Sequence, residues 1–276
     1  VTFLISKALN NGFVGSNHFH IGIAVEMIHT ATLIHDDVID DTDIRRNNQT
    51  VHKKWNEKTA IIAGDILLAR ALKRLTAVKN SNVIDIFADI MDEICSGELE
   101  QGDQLNKIIS FDDYIQKSKR KTAMLFVGGC KGVAISTPGS NNEMVQKIVD
   151  FALNFGIAFQ IHDDILNFTE NEQTAGKPAG TDFKQGIFTA PVLFALEEYK
   201  NKGSYELKNL ITKGFNDENN YKKALNLVFK SNGINKSYEL AGLYINKAVQ
   251  SIDFLEESIY KKSLVDLAFY IINRNS

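Results

Sequence analysis

Residues 29–46 read HTATLIHDDVIDDTDIRR, and this stretch decides the fold class. Upstream of it, Ile21, Val25, Ile28, Ala31 and Thr32 recur at helical spacing, which predicts a helix over 18–41 with one apolar face. The same helix then turns acidic at Asp36, Asp37, Asp40 and Asp41. Asp36 and Asp40 stand one turn apart, so their carboxylates share a face and can converge on one cation. Left unneutralised they repel each other, and at the C-terminal end of a helix the macrodipole disfavours them further. A bound divalent cation removes both costs. The bland reading is a solvated acidic helix end. Against it stand Arg45 and Arg46, whose forked donors suit phosphate-type oxygens beside carboxylates whose cations bind the same anion.

The design recurs. Apolar residues from Ile148 lead to Gln160, Ile161, His162, Asp163, Asp164 and, one turn on, Asn167. Two acidic clusters on separate helices, facing each other across a bundle, would hold Mg2+, which takes a few carboxylates and completes its shell with phosphate and water.

Outward from these stretches the chain reads as helix after helix. Only 3 prolines interrupt its 276 residues, and the 3.6-residue pattern predicts helices over 1–9, 18–41, 57–79, 82–105, 111–136, 141–169, 188–201, 204–214, 219–231, 235–257 and 259–273. The longest predicted loop, 171–186, holds Gly176, Gly180 and Gly186. An apolar content of 44% suffices for a substantial core, and one compact helical domain is the simplest organisation. A net charge of −3 with a pI near 6.1 gives no reason to expect nucleic acid as a partner. Cys95 and Cys130 lack CxxC spacing and read as small core residues in a reducing compartment. No apolar run has the length of a membrane span, so a soluble protein is expected. Val1 to Leu9 resembles the middle of a helix and suggests a fragment or a processed chain.

The runs 29–46, AGDILLARAL (63–72), KTA (121–123), AFQIHDDILNF (158–168), GKPAGTD (176–182) and TAPVLFALEE (189–198) closely resemble the trans-prenyltransferases, specifically the long-chain all-trans polyprenyl diphosphate synthases. The resemblance implies an all-α bundle of the isoprenoid synthase type with a central cavity, a single trans-prenyltransferase domain over 1–276 that lacks its N-terminal helices. It implies successive addition of isopentenyl diphosphate to an allylic prenyl diphosphate, with products for quinone side chains. By the same resemblance Asp36, Asp40 and Asp163 bind a cluster of Mg2+ ions, supported by Asp37 and Asp164. Arg45, Lys121, Thr122, Gln160 and Lys177 hold the allylic diphosphate, and His29 and Arg46 belong to the isopentenyl diphosphate site. Helix geometry places Thr32, Ala31 and Ile28 successively below Asp36, along an apolar tunnel that the small side chains at 31 and 32 would leave open to set product length, and the resemblance implies a product of roughly six to ten isoprene units. A homodimer or the catalytic half of a heterodimer is implied, in a plastid stroma or a bacterial cytoplasm.

Taken residue by residue, Lys121 and Lys177 could be surface lysines, His29 a core histidine, and Ala31 a helix-packing residue. The chemistry nevertheless accounts for the residue types. Departure of diphosphate from an allylic carbon needs positive charge where the anion forms, and a dry wall must shield the carbocation. Three departures from the family pattern stand out: a Gly-Gly-Lys-x-x-Arg segment that would precede Val1 is absent, Asn167 replaces the last aspartate of the second motif, and Ile187 stands where shorter-chain relatives often place lysine. The competing readings are a class I terpene synthase, which Arg45-Arg46 disfavours, and a non-catalytic regulatory subunit, which the retained aspartates disfavour.

Overall fold

In the computed structural model, described over residues 1–45, 48–103, 105–169, 179–215 and 217–274, the chain is helical almost throughout, as its periodicity predicts. It packs as two compact units. The first comprises 1–91, 125–149 and 255–264; the second comprises 92–124, 150–254 and 265–276.

The first unit holds α1 (Thr2–Leu9), α2 (Ser16–Ile39), a two-residue hairpin β1 (Ile44–Arg45) and β2 (Asn48–Gln49), α3 (Val51–Lys54) and α4 (Glu57–Thr76). α5 (Ser81–Asp103), α7 (Met124–Ser136) and α8 (Asn142–Thr169) contribute in part. α2 lies along α4, and the faces they bury include Ile21, Ala24, Ile28, Ala31, Ala60, Ala71 and Leu75. Each fully buried large aliphatic side chain contributes about 1.5–3 kcal/mol, so this seam fixes the acidic end of α2 firmly. Gly64 makes the close approach feasible: a Cβ there would sit 2.1 Å from His35 Nε2. The freed space lets His35 donate to the Ile61 carbonyl at 3.1 Å. At the start of α2, His18 is bracketed by Ser6 Oγ at 2.7 Å and Thr137 Oγ1 at 3.3 Å.

α2 ends two residues earlier than its apolar pattern predicts. Asp40 caps it, its N–H donating to the Asp36 carbonyl at 2.8 Å, and Asp41 turns left-handed at φ +48°. Aspartate tolerates that region better than most residues, and a left-handed residue is a common helix stop.

The second unit holds α6 (Phe111–Ser118), a π-helical turn (Lys119–Ala123), the end of α8, α9 (Thr181–Lys184), α10 (Ala190–Asn201), α11 (Glu206–Lys213), α12 (Glu218–Lys230), α13 (Gly233–Ser251) and the end of α14 (Ile259–Asn273). α6 opens on a capping box: Ser110 Oγ accepts from the Asp113 N–H at 3.1 Å, and Asp113 accepts in return from the Ser110 N–H at 3.4 Å. α10 packs on α13 and α6. Phe183 is fully buried, with Phe215 at 4.8 Å and Phe188 at 5.9 Å between ring centroids. Tyr221 donates to the carbonyl of Ala179 at 3.0 Å, beside Gly180, whose φ of +74° favours glycine.

Several expectations need correction. The predicted helix 111–136 is interrupted by the π turn, because one extra residue is accommodated at 119–123. The predicted helix 235–257 runs from Gly233 only to Ser251. Part of the predicted loop 171–186 is the short helix α9, and Ile44–Arg45 pairs antiparallel with Asn48–Gln49, short strands that helical periodicity did not anticipate. Cys95 is exposed rather than in the core, whereas Cys130 is buried as expected.

Candidate active site

The first acidic cluster is built by the end of α2 and the hairpin that follows. Asp37 points inward, its side chain 7% exposed, and receives Arg45 Nε at 2.7 Å. The chain reversal at Asp41 makes this pairing feasible, because it folds β1 back toward α2, and the Thr42 N–H is held by the Asp37 carbonyl at 2.9 Å. Asp36 is half-buried and Asp40 exposed, one helical turn apart as the spacing predicts. Around the turn, Lys53 Nζ lies 2.8 Å from Asp41 and 2.9 Å from Asp43. This ammonium holds the Asp41 carboxyl below the usual carboxylate range.

The second cluster is built by α8, α6 and the π turn. Asp164 is buried and accepts two hydrogen bonds, from Tyr114 Oη at 2.6 Å and from Gln160 Nε2 at 2.9 Å. Gln160 in turn accepts from Thr122 Oγ1. Thr122, Gln160 and Asp164, singled out separately in the sequence, thus form one chain of donors and acceptors, anchored by a tyrosine that the sequence did not single out. Burial pushes the Asp164 carboxyl up to about 7, partly offset by these two donors. Burial and the adjacent carboxylate likewise raise Tyr114. The π turn supplies Lys121 and Thr122 from one short segment, a use often made of π-bulges at functional sites. Lys121 Nζ sits 3.3 Å from the Glu98 carboxylate. Lys117, one turn earlier, is held below the usual lysine range by burial and by Lys121, against the pull of Asp164, Glu98 and Asp182. Asp163, 44% exposed, pairs with the guanidinium of Arg274. Asn167 accepts a long 3.4 Å contact from the Asp182 N–H through its side chain, and its carbonyl accepts from the Gly180 N–H at 2.7 Å.

The remaining candidates divide. His29 is exposed on α2. Ala31 and Ile28 are 0% and 1% exposed, and Thr32 is half-buried with its hydroxyl donating to the His29 carbonyl at 2.9 Å. Arg46 and Lys177 lie outside the described residues. Sequence reasoning missed Tyr114, Lys117, Glu98 and Arg274. The dense basic run around KSKRKTA was the one available signal for Lys117; nothing local marks the others, whose partners lie far along the chain.

Among the described residues no helix is long and apolar enough to cross a membrane. The chain is 36% identical over 274 residues to a decaprenyl-diphosphate synthase of Dictyostelium discoideum, covering 99% of this chain and 58% of that enzyme's length. Among solved structures it resembles a heptaprenyl diphosphate synthase from Staphylococcus aureus at a TM-score of 0.92 and 30% identity, over 100% of this chain and 86% of that one. It also resembles a polyprenyl synthase from Caulobacter crescentus complexed with calcium and isoprenyl diphosphate, at a TM-score of 0.89 and 28% identity, over 100% and 83% of the two chains. Residues 1–228 match the polyprenyl synthetase family, and with the two acidic helix stretches in place the chain belongs to that family.

Proposed function

We propose that the chain, together with whatever its full-length protein adds, extends an allylic prenyl diphosphate by repeated condensation with isopentenyl diphosphate, making a long all-trans product for a quinone side chain. The observation that carries this reading is a division of labour common to both acidic stretches. In each, the second aspartate (Asp37, Asp164) is buried and satisfied by protein groups, while the first (Asp36, Asp163) keeps solvent access. Asp36, Asp40 and Asp163 would hold Mg2+. The donor set fits a hard cation, being carboxylate oxygen only, and Asp163 already accommodates positive charge in the form of Arg274. When bound, the ions supply positive charge against the departing diphosphate.

The protein's own residues then have defined tasks. Lys121 and Arg45 add fixed or near-fixed cations for diphosphate oxygens. Tyr114 and Gln160 hold Asp164, and through it the backbone turn that presents Asp163. In the condensation the allylic C1–O bond breaks with its electrons leaving on diphosphate. The isopentenyl double bond forms the new carbon–carbon bond, and a proton is then lost to regenerate an alkene. Apolar walls must exclude water throughout. Lys177, Arg46 and His29 are assigned to diphosphate binding by the same reading, and Ala31, Thr32 and Ile28 to product length. We also take the two units as one working domain and the protein as a homodimer or the catalytic half of a heterodimer.

The test is incubation of the protein with farnesyl and isopentenyl diphosphates and Mg2+, with products sized by chromatography. Chains of roughly six to ten isoprene units are expected. Cyclised hydrocarbon would favour a terpene synthase, and activity only on addition of a second subunit would identify a heteromer. Ala31→Phe should shorten the product while sparing the first condensations; an unchanged distribution in a folded, active variant removes the tunnel assignment.

A further inference from the structure

Beside the first acidic stretch, three side chains that the proposed reaction does not use converge on one point. A carboxylate oxygen from Asp41, one from Asp43 and a ring nitrogen of His52 all lie within 4.8 Å of one another. The two aspartates are exposed, but His52 is not: its side chain is 4% exposed. Its Nε2 makes no hydrogen bond and lies 3.7 Å from Asp41 Oδ1, aimed into the cluster.

The tautomer follows from the neighbouring threonine. Thr50, itself buried, donates its hydroxyl proton to the Thr42 carbonyl at 2.7 Å, so its oxygen accepts from His52 Nδ1–H at 3.2 Å. In the neutral ring this leaves the lone pair on Nε2, facing Asp41 Oδ1 at 3.7 Å. Two lone pairs in that relation repel unless positive charge lies between them. An imidazole whose far N–H is anchored by a buried acceptor is also the arrangement that orients histidine toward a metal. Donors bound about 2.0–2.2 Å from one ion stand roughly 3–4.3 Å apart, which the Nε2–Oδ1 separation satisfies.

We propose that Asp41, Asp43 and His52 form a further cation site, distinct from the Mg2+ ligands Asp36 and Asp40 beside it, selective for a divalent transition ion such as Zn2+ over Mg2+. One imidazole nitrogen with two carboxylates suits Zn2+, whereas Mg2+ prefers oxygen alone. The present counter-cation is Lys53, bridging Asp41 and Asp43. Its side chain is 35% exposed, and water screens a surface pair of this kind, so an incoming ion displaces it at little cost. Such an ion ties Asp41 and Asp43 to His52, the two ends of the segment that carries Arg45.

The experiment is a calorimetric Zn2+ titration of the protein in a large excess of Mg2+, which keeps the carboxylate-only sites occupied. One Zn2+ per chain is expected. His52→Gln and Asp43→Asn should each weaken it by about tenfold or more, with folding checked by circular dichroism. Lys53→Met, which removes the competing ammonium and leaves the ligands in place, should tighten it. No Zn2+ uptake under these conditions, uptake indifferent to His52→Gln, or no tightening in Lys53→Met would each overturn the proposal.

Discussion

The chain writes His-Asp-Asp twice, at 35–37 and 162–164, and folds the two copies into different electrostatic settings. In both, the second aspartate is 5% exposed. Asp37 is answered by a cation, Arg45, which is itself 38% exposed. Asp164 is answered by two neutral donors, Tyr114 and Gln160, and burial raises its carboxyl to about 7. The histidines diverge too. His35 is half-buried and held against α4 by the space at Gly64, whereas His162 is fully buried and contacts the Arg274 carbonyl at 3.1 Å. A three-residue motif specifies a ligand, while its surroundings specify how rigidly and at what charge that ligand is held.

If the two stretches share the work of ion binding, removing either should be comparably severe. Asp36→Ala, Asp40→Ala and Asp163→Ala are each expected to lower turnover by about 10²–10³, with helicity retained by circular dichroism. Near-normal turnover at one stretch and loss at the other would break the symmetry of function.

The asymmetry of support predicts the next effect. Tyr114→Phe leaves the buried Asp164 with one donor fewer and should cost about 1–3 kcal/mol in urea unfolding. Arg45→Met leaves the buried Asp37 carboxylate, its side chain 7% exposed, without its cation and should cost more, up to about 3–5 kcal/mol. An Arg45 variant less damaging to stability than the Tyr114 variant would reverse the contrast drawn between the two sites.

A smaller effect is expected at the end of the second motif. Asn167→Asp adds a negative charge one turn after Asp163 and should lower the Mg2+ concentration for half-maximal activity by a few-fold. Its side-chain oxygen can still accept from the Asp182 N–H, so the fold should persist. An unchanged magnesium titration would place Asn167 outside the ion cluster.

The smallest effect lies at the opposite end of the helix that carries the first motif. Burial lowers the His18 pKa below its ordinary 6.5. The stability contributed by neutral His18 is therefore full above pH 6.5 and is lost as pH falls toward the lower folded value. His18→Gln should flatten the acid side of a plot of Tm against pH; an unchanged slope would show that another group sets it.

The sequence by itself determined the helical class, the course of most helices and the one-turn spacing of Asp36 and Asp40, because periodicity and i,i+4 geometry are local properties of the chain. It also marked Thr122, Gln160 and Asp164 through resemblance, without revealing that they touch. Only the tertiary structure decided the partners. Tyr114 meets Asp164 across 50 residues of chain and Arg274 meets Asp163 across 111. Likewise the π turn at 119–123 keeps its helical neighbours and has no composition of its own, so periodicity reads straight through it. A carboxylate's setting depends on which distant donors reach it and how much water they displace, and neither quantity is encoded within a helical turn of the aspartate itself.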